Sequence, residues 1–345
     1  MDIAIVGAGG TIGRQIAVTL VQEGIVPATG RLQLVGRRGG ASERRLPGMV
    51  SDLGDAFAER LPEVDIAFEP EDLIADLVII AGAEEPGNAR SLDRGDMARR
   101  NRPIFERYAD QLANHGHGEE LVLIVTNPVE LGVEIFSRRL PRQRVIGMGA
   151  YLDTMRFRRE IASELGVRRQ DVQGLVVGEH GLAMVPCWST VSAWGHDSED
   201  GRERIDRLRR PHDPAPAAAW AEIQALTERA GPEAAYRRCA EFGADLRTLV
   251  KPLVTQLCGA RTPLGTGQMI ARLVQTILDG DLAQAAAQVR LEGEFLGITG
   301  VTGAPVVISN RGIERIEALA VSPAEEAGAR AAAERSRALI AEHAP

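Results

Sequence analysis

The sequence predicts an α/β protein in which a doubly wound parallel sheet over residues 1–149 is followed by a mixed α+β domain over residues 150–345. Three observations lead there. Short continuous apolar runs alternate with segments of helical period through the first 149 residues, the pattern of strands covered by helices on both faces. A glycine-rich turn joins the first run to the first helical segment, and after about residue 150 long amphipathic and strand-like stretches replace the alternation. A length of 345 residues with 44% hydrophobic and 26% charged side chains suits two globular domains.

Six predicted strands make up the parallel half: residues 2–7, 32–36, 64–68, 76–82, 121–127 and 144–149. In the second half an amphipathic helix is expected over 153–166, then strands over 172–180 and 186–195. Residues 196–219 combine a charge run with three prolines and predict a surface insertion, not a fold element. Near the end, Ser322, Pro323 and Glu325 form a capping box with proline in the first turn, opening a helix that reaches about Glu342.

Charge and rare residues exclude several functions. With 40 basic against 48 acidic residues the net charge is -8, so nothing draws the whole molecule to nucleic acid or anionic lipid. Lys251 is the single lysine among those 40 cations. A phosphate loop of the G-x-x-x-x-G-K-[ST] kind is therefore absent, and the surroundings of Lys251 make a poor Schiff-base site. Cys187, Cys239 and Cys258 are odd in number and lack C-x-x-C spacing, so they are expected to be core thiols in a reducing compartment, with no bound metal. The chain opens on a predicted strand, with no charged leader before it and no apolar run of membrane-spanning length. The expectation is a cytoplasmic protein.

The first turn reads Gly7-Ala8-Gly9-Gly10-Thr11-Ile12-Gly13 between a strand and a helix. Glycines there permit the tight turn and close backbone approach to a pyrophosphate, while the helix N-terminus offers amide donors. Gly7, Gly10, Thr11, Ile12, Gly13 and Gly82, at the end of the fourth run, are the expected dinucleotide contacts of this Rossmann-type half. At the end of the second strand, where an NAD site places an acid for the ribose 2′-hydroxyl, stand Gly36, Arg37 and Arg38. Loss of the carboxylate and gain of guanidinium favour the 2′-phosphate of NADP, with NAD the alternative.

Farther on, Asp153 and Arg156 lie three apart at the start of a helix and so share a face. His180 follows a strand and precedes a glycine. A carboxylate held against an imidazole orients it and favours its protonated form, the requirement for a general acid/base, and an arginine one turn on can grip a carboxylate bidentately.

With these motifs the chain resembles the lactate/malate dehydrogenase family of 2-hydroxy-acid dehydrogenases, from "GAGGTIG" through "GMVSDLGDAF", "VTNPVE", "LDTMRFR" and "GEHG" to "GAPVVISNRGIERI". The resemblance implies that His180 exchanges a proton with the substrate oxygen, Asp153 orients it and Arg156 binds the substrate carboxylate. It further implies that Asn127 contacts the substrate hydroxyl, that Thr262 lines the pocket, and that the protein is a homodimer or homotetramer.

The family's mobile loop is where the chain departs. Residues 81–101 run about three longer than usual. Counting back from Asn101 makes Arg94 the arginine that polarises the carbonyl, whereas counting forward from the Pro-Gly pair makes it Arg90. In either register the position that reads the distal carboxylate of malate falls on Glu84, Glu85 or Asn88, which predicts a substrate other than simple malate. Two other classes compete. A short-chain reductase needs a tyrosine four residues before a lysine, and Arg247 stands there instead. A catalytically silent dinucleotide-binding sensor or scaffold predicts decay of Asp153, Arg156 or His180, and all three are present.

Overall fold

The computed structural model describes residues 1–84, 93–196, 198–210 and 212–344. All six predicted strands form: β1 (Ile3–Val6), β2 (Arg31–Val35), β3 (Glu63–Ala67), β4 (Leu77–Ile80), β5 (Leu121–Ile124) and β6 (Val145–Gly147). They pair in parallel in the order β3-β2-β1-β4-β5-β6. Helices α1 (Thr11–Gln22), α2 (Ala41–Phe57), α3 (Arg94–His115) and α4 (Val129–Ser137) cover the two faces. Both faces of β1 and β4 are therefore buried, with Ile3, Ile5, Leu77 and Ile79 in one apolar cluster and Ala4, Val6, Val78 and Ile80 in another. That explains the continuous apolar runs.

The second half begins with α5 (Gly149–Leu165), four residues earlier than the sequence predicts, and ends it at Gly166, whose φ of 71° closes the helix in the left-handed region. Strands β7 (Val172–Gly178) and β8 (Met184–Ala193) follow as an antiparallel pair. The predicted insertion is corrected in part. Residues 199–206 form α6 (Glu199–Asp206), capped by the Ser198 hydroxyl accepting from the Gly201 amide, with Ile205 buried. A local cap and one apolar anchor outweigh the charge run. Helices α7 (Pro216–Ala230), α8 (Pro232–Cys239), α9 (Ala244–Leu257) and α10 (Pro263–Leu278) then lead to β9 (Ala283–Glu292), β10 (Thr299–Ser309) and β11 (Gly312–Ile316). α11 (Pro323–His343) closes the described chain with the predicted capping box of Ser322 and Glu325.

Strand β9 pairs with β6 at Gly147 and Gln288, so one eleven-stranded sheet crosses from the parallel half into the antiparallel half. Buried Gln288 ties this junction together, accepting from the Ala150 amide at 2.9 Å and donating to the Gly178 carbonyl at 3.5 Å. It thus links the start of α5, which carries Asp153, to the end of β7, which leads into His180. Cys187 and Cys239 are buried as expected, and burial pushes their thiols up to about 12 and about 11; Cys258 is exposed, correcting its assignment to the core. Lys251 is ion-paired to buried Glu160 at 2.7 Å, which removes it from Schiff-base chemistry. Among the described residues no helix is long and apolar enough to cross a membrane.

Candidate active site

His180 lies just beyond β7, where the chain turns toward β8, and its ring packs over Gly149, the first residue of α5. A Cβ at position 149 would collide with the imidazole, so the helix must begin on a glycine for the histidine to approach. One turn along α5, buried Asp153 sets Oδ2 2.6 Å from His180 Nδ1. Its other oxygen accepts from Arg156 Nη1 at 3.0 Å, and Arg156 Nη2 lies 3.5 Å from the Thr262 hydroxyl at the start of α10. Burial alone would raise the Asp153 carboxyl, but the charges and hydrogen bonds of His180 and Arg156 outweigh it and hold the group below the usual carboxylate range. With Nδ1 committed to Asp153, Nε2 is the imidazole atom left for a substrate.

Arg94 opens α3 behind an Asp93 cap and comes to the same place. Its guanidinium donates through Nη1 to the His180 carbonyl and through Nη2 to Glu130 Oε2 at 2.6 Å, and Nε is 2.9 Å from Glu179 Oε1. Burial works against this cation, yet the carboxylates of Glu130 and Glu179 hold its pKa above the ordinary value. Five N–H groups belong to a guanidinium, so donors remain beyond these contacts. Arg90, Glu85 and Asn88 lie outside the described residues. Asn127 sits after β5, its carbonyl accepting from Asn101 Nδ2 at 2.6 Å. The buried Asn127 side-chain oxygen meets no hydrogen-bond donor among the described residues, which suits it to a ligand.

At the other end of the sheet the glycine turn has the predicted form. Gly7 adopts φ 83° with its Cα side pressed on Gly82, and a side chain on Gly13 would strike the Gly7 carbonyl. α1 has neither a side-chain cap nor an acid in its first turn, so the amides of Thr11, Ile12 and Gly13 can receive a pyrophosphate. This cradle fits a dinucleotide. At Gly36 a Cβ would lie 2.8 Å from Leu46 Cδ1 and 2.9 Å from Ser42 Cβ, so a side chain there would press on α2. Arg37 and Arg38 flank that position, but both are engaged. Arg37 pairs with Glu84, and Arg38 pairs with Glu69 at 2.7 Å and Glu43 at 3.5 Å while lying over Phe68. The hydrogen bond that Arg38 donates to Glu69 is the main cause that raises the Arg38 pKa.

Known proteins match this chain in sequence and in fold. Residues 1–147 match the family model described as lactate/malate dehydrogenase, NAD binding domain. The chain is 27% identical over 342 residues to the L-2-hydroxycarboxylate dehydrogenase (NAD(P)(+)) of Methanocaldococcus jannaschii, covering 97% of this chain and 96% of that one. The chain is thus similar, over nearly its whole length, to proteins of the lactate/malate dehydrogenase family. The L-lactate dehydrogenase of Latilactobacillus sakei is 29% identical over 314 residues, covering 89% of this chain and 84% of that one. The malate dehydrogenase structure from Aeropyrum pernix superposes with a TM-score of 0.76 at 22% identity, covering 99% of this chain and 97% of that one, which shows the shared fold.

The structure brings His180, Asp153, Arg156, Thr262 and Arg94 into one chain of contacts. Sequence reasoning missed Gly149, Glu130, Glu179 and Gln288. Glu130 and Glu179 stood in the quoted motifs "VTNPVE" and "GEHG", and an acid in an otherwise apolar or glycine-rich motif was the available signal.

Proposed function

We infer that the chain is an NAD(P)-dependent 2-hydroxy-acid dehydrogenase of the lactate/malate type. The observation that carries this reading is the buried Asp153–His180 pair at 2.6 Å with Arg156 on the same carboxylate. His180 Nε2 gives a proton to the oxygen of a 2-oxo acid and takes it back from the hydroxy acid. Asp153 holds the ring's orientation, Arg156 and Thr262 receive the substrate carboxylate, Asn127 meets the substrate hydroxyl, and Arg94 or Arg90 polarises the carbonyl. Bound nicotinamide supplies or accepts the hydride. In this reading residues 1–149 bind the dinucleotide and residues 150–345 bind the substrate.

NADP is the preferred cofactor, with NAD the alternative. Gly36, which carries no acid and packs closely on Ser42 and Leu46, and the neighbouring Arg37 and Arg38 support this, although a 2′-phosphate must compete with Glu84, Glu69 and Glu43 for those cations. The substrate is a 2-oxo acid other than oxaloacetate, a reading supported by the register count, which puts Glu84, Glu85 or Asn88 and no arginine at the distal-carboxylate position; Glu84 itself pairs with Arg37. The family resemblance supports a homodimer or homotetramer, and the three cysteines without C-x-x-C spacing support a reducing, cytoplasmic compartment. Steady-state kinetics with NADH and NADPH across pyruvate, oxaloacetate and branched or larger 2-oxo acids tests the cofactor and substrate readings. Turnover of at least one oxo acid is expected; binding of NADPH without any turnover would instead favour the silent sensor, and oxaloacetate preferred by tenfold or more would overturn the substrate reading.

A further inference from the structure

The side chain of His180 is oriented by Asp153, but its backbone is held by a separate set of groups. The His180 amide donates to Glu130 Oε1 at 2.7 Å, and its carbonyl accepts from Arg94 Nη1. Arg94 Nη2 in turn donates to Glu130 Oε2 at 2.6 Å, so three hydrogen bonds close a ring around one peptide segment. Glu179, the residue before His180, completes the support. Its Oε1 faces Arg94 Nε at 2.9 Å and its Oε2 accepts from Arg335 Nε of α11 at 3.2 Å.

We propose that Glu130 and Glu179 are positioning residues for His180, acting through its backbone and through Arg94. This rests on the reading of His180 as the acid/base. Glu130 is fully buried and Glu179 nearly so, and burying two carboxylates is costly unless their partners are held in good geometry. A neutral acceptor would satisfy one amide N–H; a charged pair sharing Arg94 does more, because it also fixes the carbonyl on the other side of the same residue. The charged groups around His180 then come from four helices and its own turn: Arg94 on α3, Glu130 on α4, Asp153 and Arg156 on α5, Arg335 on α11, and Glu179. Displacement of a reacting group by about 1 Å costs on the order of 10²-fold in rate, so a loosened backbone clamp reads out in chemistry before it reads out in binding. The arrangement also accounts for the charge of Arg94: the two carboxylates hold its guanidinium beside the histidine, with donors left to face a substrate oxygen.

The test is Glu130→Gln in the full chain. The amide can still accept from the His180 N–H but cannot also accept from Arg94 without losing the first bond. We expect kcat for 2-oxo-acid reduction to fall about 30- to 100-fold, with the NADH dissociation constant unchanged within twofold. Glu179→Gln, which leaves the ring closed and removes one outer anchor, is expected to lower kcat about three- to tenfold. A second readout needs no turnover. The Nδ1 proton on the short bond to Asp153 gives a far-downfield proton resonance, assigned by its absence in His180→Asn, and it broadens or vanishes in Glu130→Gln. If Glu130→Gln does not give folded protein, Glu130→Asp retains the charge, draws it back by one methylene and is expected to show the same kcat loss and broadening. Folded variants with kcat within twofold of the unmodified enzyme and an unchanged downfield resonance would overturn the proposal. An unmodified protein that turns over no 2-oxo acid, yet whose resonance responds to Glu130→Gln, would keep the clamp and overturn the catalytic reading beneath it.

Discussion

The two ends of the site are built on opposite electrostatic plans. Around His180, the charged groups are buried and mutually committed: Asp153, Glu130 and Glu179 are almost inaccessible, and Arg94 and Arg156 are paired to them. At the cofactor end, Arg37 and Arg38 keep about 60% of their side-chain surface in solvent and pair with half-exposed carboxylates. Buried pairs hold geometry because breaking one leaves an uncompensated charge, at about 3–5 kcal/mol; exposed pairs contribute about 0–1 kcal/mol and exchange partners readily. The difference teaches which end is preformed for chemistry and which is adjustable for specificity.

That contrast breaks most sharply at the histidine. His180→Asn is expected to lower kcat by up to about 10⁴-fold, within the range of general acid/base catalysis, while leaving nicotinamide fluorescence titrations unaltered. Cofactor affinity lost in parallel would mean that the two ends are not separable. Arg156→Gln comes next. Truncating one member of a buried charge pair costs about 2–5 kcal/mol, so kcat/KM for the oxo acid should fall by about thirtyfold to several thousandfold. Most of that loss is expected in KM.

Asp153 sharpens the comparison through pH. Its folded-state pKa is depressed, so the stability it contributes is fully present above the ordinary carboxylate value and is lost as pH falls through the folded one. Unfolding temperatures followed downward from neutral pH should drop in the acid range, and Asp153→Asn should flatten that drop while lowering stability at pH 7. An acid limb of unchanged steepness would remove Asp153 from the account. The smallest effect is expected at the exposed end. Glu84→Gln frees Arg37 from its carboxylate, and a pair worth at most about 1 kcal/mol predicts a KM for NADPH lower by up to about fivefold with KM for NADH unmoved. Equal shifts for both cofactors would place Arg37 away from the 2′-phosphate.

The parallel half was legible because each of its strands is buried on both faces, so local apolar content suffices to mark them. The cap of α11 was legible for the same reason of locality: Ser322 and Glu325 satisfy each other's backbone amides within one turn. β9 was not, since its sequence is rich in alanine, a helix former, and it becomes a strand through its long pairing with β10 and its bridge to β6. α6 was overlooked because its charges read as solvated chain, whereas Ser198 and Ile205 decide the matter. At the site, Asp153, Arg156 and His180 were visible as motifs. The need for glycine at 149 was not, because the clash that requires it comes from a residue 31 positions away in sequence.

The central claim is that His180 carries the proton that leaves or joins the substrate oxygen. It is tested most directly by the pH dependence of kcat/KM measured in both directions on one substrate pair. Reduction requires the protonated imidazole and oxidation the neutral one, so the account predicts limbs of opposite sign, both abolished in His180→Asn. Parallel profiles in the two directions would contradict it.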